Sequence, residues 1–265
     1  MDVSQPVDAD AWMDVLDVPV DLLTAGETRS WLHDQLETGV SCAHVVTLNP
    51  EYVMSARRDR AFAAALREAD LTTVDGAGVA LAIRLLGNER ASERVTGVTL
   101  CWMLAEESAK TGEGIFLLGA GPGVAERAAE RLREASPDAV IAGTWSGGSP
   151  RSNDDEETIR RITDAGTSIV LVAYGAPAQI HWIARNQAAL DAVGVKLVAG
   201  IGGALDYISG NVPLPPRIVR KLGLEWAFRL AREPWRWKRQ VVLPYFALLV
   251  MREAVRQRSL LRRLA

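Results

Sequence analysis

Cysteine is nearly absent from this chain. Two residues in 265, Cys42 and Cys101, both in apolar surroundings, offer neither a disulfide framework nor a zinc spacing, so a reducing compartment, the cytoplasm, is expected. Histidine is as scarce: His33, His44 and His181 lie far apart in no metal-binding pattern. The first residues, MDVSQPVDAD, lack the basic and apolar blocks of a secretory signal. No long hydrophobic run occurs either. VVLPYFALLVM, 241–251, is eleven residues with a proline, where a bilayer core needs about 20 apolar residues. From residue 11 on, no D-x-D pair of the kind that holds a catalytic metal occurs, so no metal ligands are expected.

What is present is a core and a lopsided charge. Hydrophobic residues make up 48% of the chain, enough for one large α/β domain. Residues 217–265 carry 13 Arg or Lys against three Glu, +10, while residues 1–216 carry 17 basic and 30 acidic residues, −13, within a net charge of −3. Such asymmetry suggests a tail that meets something anionic: nucleic acid, a membrane surface or a phosphorylated ligand.

Along the chain, strand-like and helix-like segments alternate. WMDVLDVPVDLL suggests a strand pair or one bent strand. Thr24 and Glu27 form a capping box for a helix to Gly39, AHVVTLN is a β-branched strand, and Pro50 opens one helix running to residue 70. LTTVD, GIFLLGAG, AVIAGTWSGG, SIVLVAYGAP and VKLVAGIGG follow as strands, with helices between them. One of these helices, NDDEETIRRITDAG, is expected to be capped by Asn153. The pattern predicts a Rossmann-like, largely parallel sheet covered by helices on both faces, because its strands are continuous apolar runs. It spans residues 12–216, followed by a basic, aromatic, helical C-terminal segment at 217–265.

Ligands of such sheets bind at the carboxyl ends of the strands. The residues there are Thr47 and Asn49; Asp75 and Gly76; Gly119 and Gly121; Gly143; Gly175, Pro177 and Gln179; and Gly202, Gly203 and Asp206. Asp75, a lone acid closing an apolar strand before two glycines, is either a functional carboxylate or a helix cap. LLGAGPGVAERAA approaches a dinucleotide fingerprint but has Val124 where the third glycine belongs, and the next strand ends without the acid that holds a ribose. The loop suits a diphosphate at a helix N-terminus better than it suits NAD. In the C-terminal segment, Arg mixes with Trp, Phe and Tyr on amphipathic stretches, as in helices that meet an anionic membrane surface.

Taken in order, TLN (47–49), VDGAGV (74–79), ERVTG (93–97), FLLGAGPGVAERAAERL (116–132), YGAPAQ (174–179), GIGGALDYISG (200–210) and LGLEWAFRLAREPWRWKR (222–239) resemble the WecB/TagA/CpsF glycosyltransferases, glycosyltransferase family 26. The likeness covers about residues 12–250. It implies a metal-independent, inverting transfer of a hexose or N-acetylhexosamine from a UDP-sugar, with no cofactor. The implied acceptor is a lipid-diphosphate-linked saccharide at the cytoplasmic membrane face, in teichoic acid, common-antigen or exopolysaccharide synthesis. It implies an anionic membrane surface as partner rather than nucleic acid, and leaves a homo-oligomer possible. It implies Asp75 as catalytic base and Thr47 and Asn49 as lining the sugar and acceptor pocket; Gly76, Arg94, Gly119, Gly121, Gly175, Gln179, Gly203 and Asp206 are expected as further substrate contacts. Arg229, Arg236 and Arg239 would cover the site.

Two places depart from the family pattern. P-K-Q-E is here Pro177, Ala178, Gln179 and Ile180, and R-A-P is here Leu214, Pro215 and Pro216. Both lie near the expected donor site, so the donor sugar stays open, and a non-catalytic nucleotide-sugar-binding or membrane-scaffold relative is the alternative. An NAD-type oxidoreductase is opposed by Val124.

Overall fold

The computed structural model describes residues 11–88, 93–216, 218–219, 223–234, 237 and 241–264. An antiparallel hairpin, β1 (Trp12–Val15) and β2 (Val18–Asp21), comes first, followed by α1 (Ala25–Thr38) and β3 (Ala43–Leu48). The Thr24–Glu27 capping box is formed. After β3 come α2 (Pro50–Ala56) and α3 (Arg60–Arg67) instead of the single helix expected to residue 70. Asp59 causes the break, because its carboxylate accepts the N–H of Phe62 at 3.0 Å and starts a new helix.

The rest alternates as the apolar runs predict. β4 (Leu71–Val74), α4 (Ala77–Leu85), α5 (Gly97–Thr111), β5 (Ile115–Gly119), α6 (Val124–Ala135) and β6 (Ile141–Trp145) lead to α7 (Asp155–Asp164). A 3-10 turn at Ser152–Asp154 precedes α7, which has Asp154, not Asn153, at its cap position and no side-chain cap bond. β7 (Ile169–Ala173), α8 (Ala178–Ala192), β8 (Leu197–Gly200), the short α9 (Ala204–Ile208), α10 (Glu225–Arg232) and α11 (Val242–Leu264) complete the described chain.

β3 to β8 form one six-stranded parallel sheet in the order β4-β3-β8-β7-β5-β6. Alternate residues serve opposite faces. Val45, Leu71, Leu117, Leu171 and Ala199 pack against α1, α5, α6 and α9. On the other face, Val46, Leu48 and Val74 meet α2, α3, α4 and α11, while Leu118, Val172 and Val198 meet α7 and α8. The hairpin closes the β4 edge, where the carboxylate of Asp21 accepts the N–H of Thr72 at 2.7 Å.

This wrapping sets the site. The neighbours β3 and β8 send their following helices, α2 and α9, to opposite faces, and so do β5 and β7 with α6 and α8. Crevices therefore open at the carboxyl ends of these pairs. α11 joins the second core cluster through Phe246 and Val250.

Candidate active site

Asp75 follows the last residue of β4 and is anchored by its own N–H, which donates to the carbonyl of Leu48 at 2.8 Å. It is not the side-chain cap of the helix after it. Gly76 holds that place with φ +87°, and α4 has no side-chain cap bond. The Asp75 carboxylate instead lies near the backbone N–H groups of Gly97, the first residue of α5, and of Gly76, which favour its charged form. It thus sits at the positive end of α5. Residue 75 is only partly shielded as a whole, but its carboxyl is packed deeply enough that lost hydration pushes its pKa up to about 6. Arg94 and the two N–H groups pull against that rise, and Glu225 adds to it.

Two features of the local sequence make this geometry possible. Thr73, two residues before the carboxylate, donates its hydroxyl to the carbonyl of Val95 at 2.9 Å and pins the loop that carries Arg94. At Gly97, a Cβ would lie 2.7 Å from the carbonyl oxygen of Ile201, so only glycine lets α5 begin against the end of β8. Neither residue stood among the expected site residues. The signal for Gly97 was its place at the end of ERVTG, just before a helix.

Arg94 makes its ion pair with Glu225 of α10, through Nη2 and Oε1. Its Nε is buried without a hydrogen-bond partner among the described residues. Arg229, from the same helix, lies over Gly203: a Cβ there would be 2.8 Å from Nη2. Its guanidinium also stacks 5.1 Å from the Tyr207 ring centroid and pairs with Glu233 at 3.0 Å. The structure therefore brings Asp75, Gly76, Arg94, Gly203 and Arg229 to the ends of β4, β3 and β8. Arg236 and Arg239 lie outside the described residues.

Other expected contacts turn out to serve the frame. Gln179, expected as a substrate contact, is fully buried. Its Oε1 accepts the N–H groups of Gly175 at 3.1 Å and Gly202 at 3.0 Å, and its Nε2 donates to the hydroxyl of Tyr52 at 2.5 Å. One amide thus ties the loops after β7 and β8 to the first turn of α2. Thr47 is likewise turned inward: it is 3% exposed and donates to the carbonyl of Gly200 at 3.2 Å. Asn49 caps α2 through the N–H of Tyr52 at 3.1 Å. Asp206 accepts from Asn211 at 3.3 Å and shapes the turn after α9.

Gly119 is buried because a Cβ would lie 2.9 Å from the ring of Tyr174, whereas Gly121 is exposed at the mouth of the β5–β7 crevice. A separate cavity of about 270 Å³, lined by Gly143, Thr144, Arg160, Arg161 and Asp164, lies on the outer edge strand, and its arginines are already paired with Glu157.

Residues 13–260 match the model of the glycosyl transferase WecG/TagA/CpsF family. Over 211 residues the chain is 34% identical to an N-acetylglucosaminyldiphosphoundecaprenol N-acetyl-beta-D-mannosaminyltransferase of Bacillus subtilis (strain 168), covering 80% of each chain. It is 32% identical over 210 residues to the enzyme of that name from Bacillus spizizenii (strain ATCC 23059 / NRRL B-14472 / W23), covering 79% of each. With nearly its whole described length inside the family match, the chain belongs to the WecG/TagA/CpsF family and is a glycosyltransferase of the hexosyl-transferring kind.

Proposed function

We propose that this protein moves a sugar of the N-acetylhexosamine type from a UDP-sugar to a lipid-diphosphate-linked saccharide, inverting the anomeric centre without a metal ion, in cell-wall or exopolysaccharide synthesis. The observation that carries this reading is the environment of Asp75. A lone carboxylate at a strand end, raised to about 6 and bracketed by a helix N-terminus and an arginine, suits a general base working near neutral pH.

The chemistry runs in one step. Asp75 takes the proton of the acceptor hydroxyl as that oxygen attacks the anomeric carbon from the face opposite the leaving group. The bond from that carbon to the diphosphate oxygen breaks, and UDP leaves with the electron pair. Its growing charge needs donors that are already in place. Arg94, Arg229 and the N–H groups of the glycine-rich strand ends can supply them. The Nε of Arg94 supports this: among the described residues it is buried without a partner, and an unmatched buried donor costs about 1–3 kcal/mol that a phosphate oxygen would recover.

The relatives' names identify an acceptor, N-acetylglucosamine on diphosphoundecaprenol, and a transferred sugar, N-acetylmannosamine. We extend the acceptor class to this chain. Its donor is to be tested because Ala178, Ile180 and Leu214 replace charged residues of the family pattern. Place of action at the inner membrane face follows from the acceptor. Among the described residues no helix is long and apolar enough to cross a membrane.

The test is a UDP-release assay over a panel of UDP-sugars, with a short-chain polyprenyl diphosphate carrying N-acetylglucosamine, run with and without excess EDTA. Release that depends on acceptor and survives EDTA is expected. Complete loss with EDTA, restored by Mn²⁺ or Mg²⁺, would show the metal-dependent type of transferase. No release with any donor would favour a binding or scaffold role.

A further inference from the structure

The C-terminal segment touches the catalytic cleft at three described points. Gly223 lies so close to α4 that a Cβ on it would be 2.3 Å from the Cβ of Ala77, two residues after Asp75. Glu225 pairs with Arg94. Arg229 covers Gly203. The middle contact differs in kind, because its partner is the cation beside the catalytic carboxylate. Among the described residues Arg94 has its ion pair with Glu225 and none with Asp75. Both side chains of the pair are largely shielded, at 28% and 24% exposure.

We infer that Glu225 is a positioning residue: by engaging Arg94 it keeps that cation from pairing with Asp75, leaving the base free, and it ties α10 to the cleft. The physical basis is competition for one guanidinium. A base locked in a direct pair with arginine is a weak proton acceptor, and a second carboxylate that shares the cation relieves it. Among the described residues, the charged groups acting most on Asp75 are Arg94, from the loop before α5, and Glu225, from α10, with the N–H groups of Gly97 and Gly76 nearby. The inference rests on the proposed role of Asp75 as base.

The test uses full-length Glu225→Gln and Glu225→Asp proteins and two readouts. The first is the pH profile of kcat/KM for sugar transfer to the lipid-diphosphate acceptor. Glu225→Gln should move the acid limb to lower pH by roughly half a unit to one unit and lower the plateau about tenfold, while Glu225→Asp restores the limb toward wild type. The second is trypsin cleavage within residues 217–241, which should be several-fold faster in Glu225→Gln than in wild type. An acid limb that stays put or rises overturns the inference, even if the plateau falls. If wild type transfers no sugar at all, the base role of Asp75 fails on its own account, and trypsin then decides: unchanged protection in Glu225→Gln overturns the tie between segment and cleft.

Discussion

Asp75 carries a stability cost that matches its proposed task. Burial lifts its pKa from the ordinary 3.8 to about 6, so the folded protein holds this proton more tightly than the unfolded chain does. Stability is therefore lost as pH rises from about 4 through 6, and the cost is complete above that. A shift of this size corresponds to at most about 3 kcal/mol. Asp75→Asn keeps the shape and removes the charge. It should melt higher than wild type at pH 7.5, with the gain shrinking toward pH 4. Its turnover should fall about 10²- to 10⁴-fold, the usual scale of base catalysis, with UDP binding little changed. Calorimetry at the two pH values and a UDP-release assay check both halves. Wild-type turnover should itself decline below about pH 6 as Asp75 gains its proton.

At the scale of elements, Gln179 does what no single loop can. The loops after β7 and β8 both end in glycine backbones, at Gly175 and Gly202, that converge on one buried amide. Gln179→Ala would leave two partly buried N–H groups without their acceptor, at up to about 1–3 kcal/mol each. The variant should be destabilised by several kcal/mol and lose donor affinity as the strand ends drift, whereas Gln179→Glu, which retains the acceptor, should keep more of both. Denaturant unfolding and donor KM distinguish the two. Much of this layer was legible in the sequence. Continuous apolar runs announced covered parallel strands, and Thr24 with Glu27 announced a helix start. The inward turn of Gln179 was not legible, because a glutamine just after a strand has the same spacing whether it faces ligand or core. Nor was the break between α2 and α3, since RRDR is compatible with a continuing helix until Asp59 is seen to cap a new one. The pairing of Glu225 with Arg94 joins residues far apart in the chain, and local pattern does not report such contacts.

For the whole molecule, the remaining question is how a chain without a described membrane-spanning helix would meet the lipid-linked acceptor proposed for it. α11 has two apolar faces. One, through Phe246, Val250 and Ala254, is buried against α2 and α4. The other leaves Tyr245, Leu248, Met251 and Val255 between 49% and 65% exposed, beside the exposed Arg252, Arg256 and Arg258. An apolar strip flanked by arginine is the composition of a helix that lies in the interface of an anionic leaflet. Each basic residue near such a surface contributes about 1 kcal/mol at low salt, less when screened. Because the strip already faces solvent, Leu248→Asp with Val255→Asp should leave the melting temperature within a degree or two, since the first core face is untouched. The same protein should no longer sediment with phosphatidylglycerol vesicles, and should lose transfer to a vesicle-borne acceptor while keeping transfer to a short, water-soluble one. Phe246→Asp should instead unfold the contact with α2 and α4 and lower the melting temperature sharply. If the double variant still sediments with the vesicles and works on them like wild type, the exposed face of α11 has no part in membrane contact, and the +10 segment acts only over the cleft.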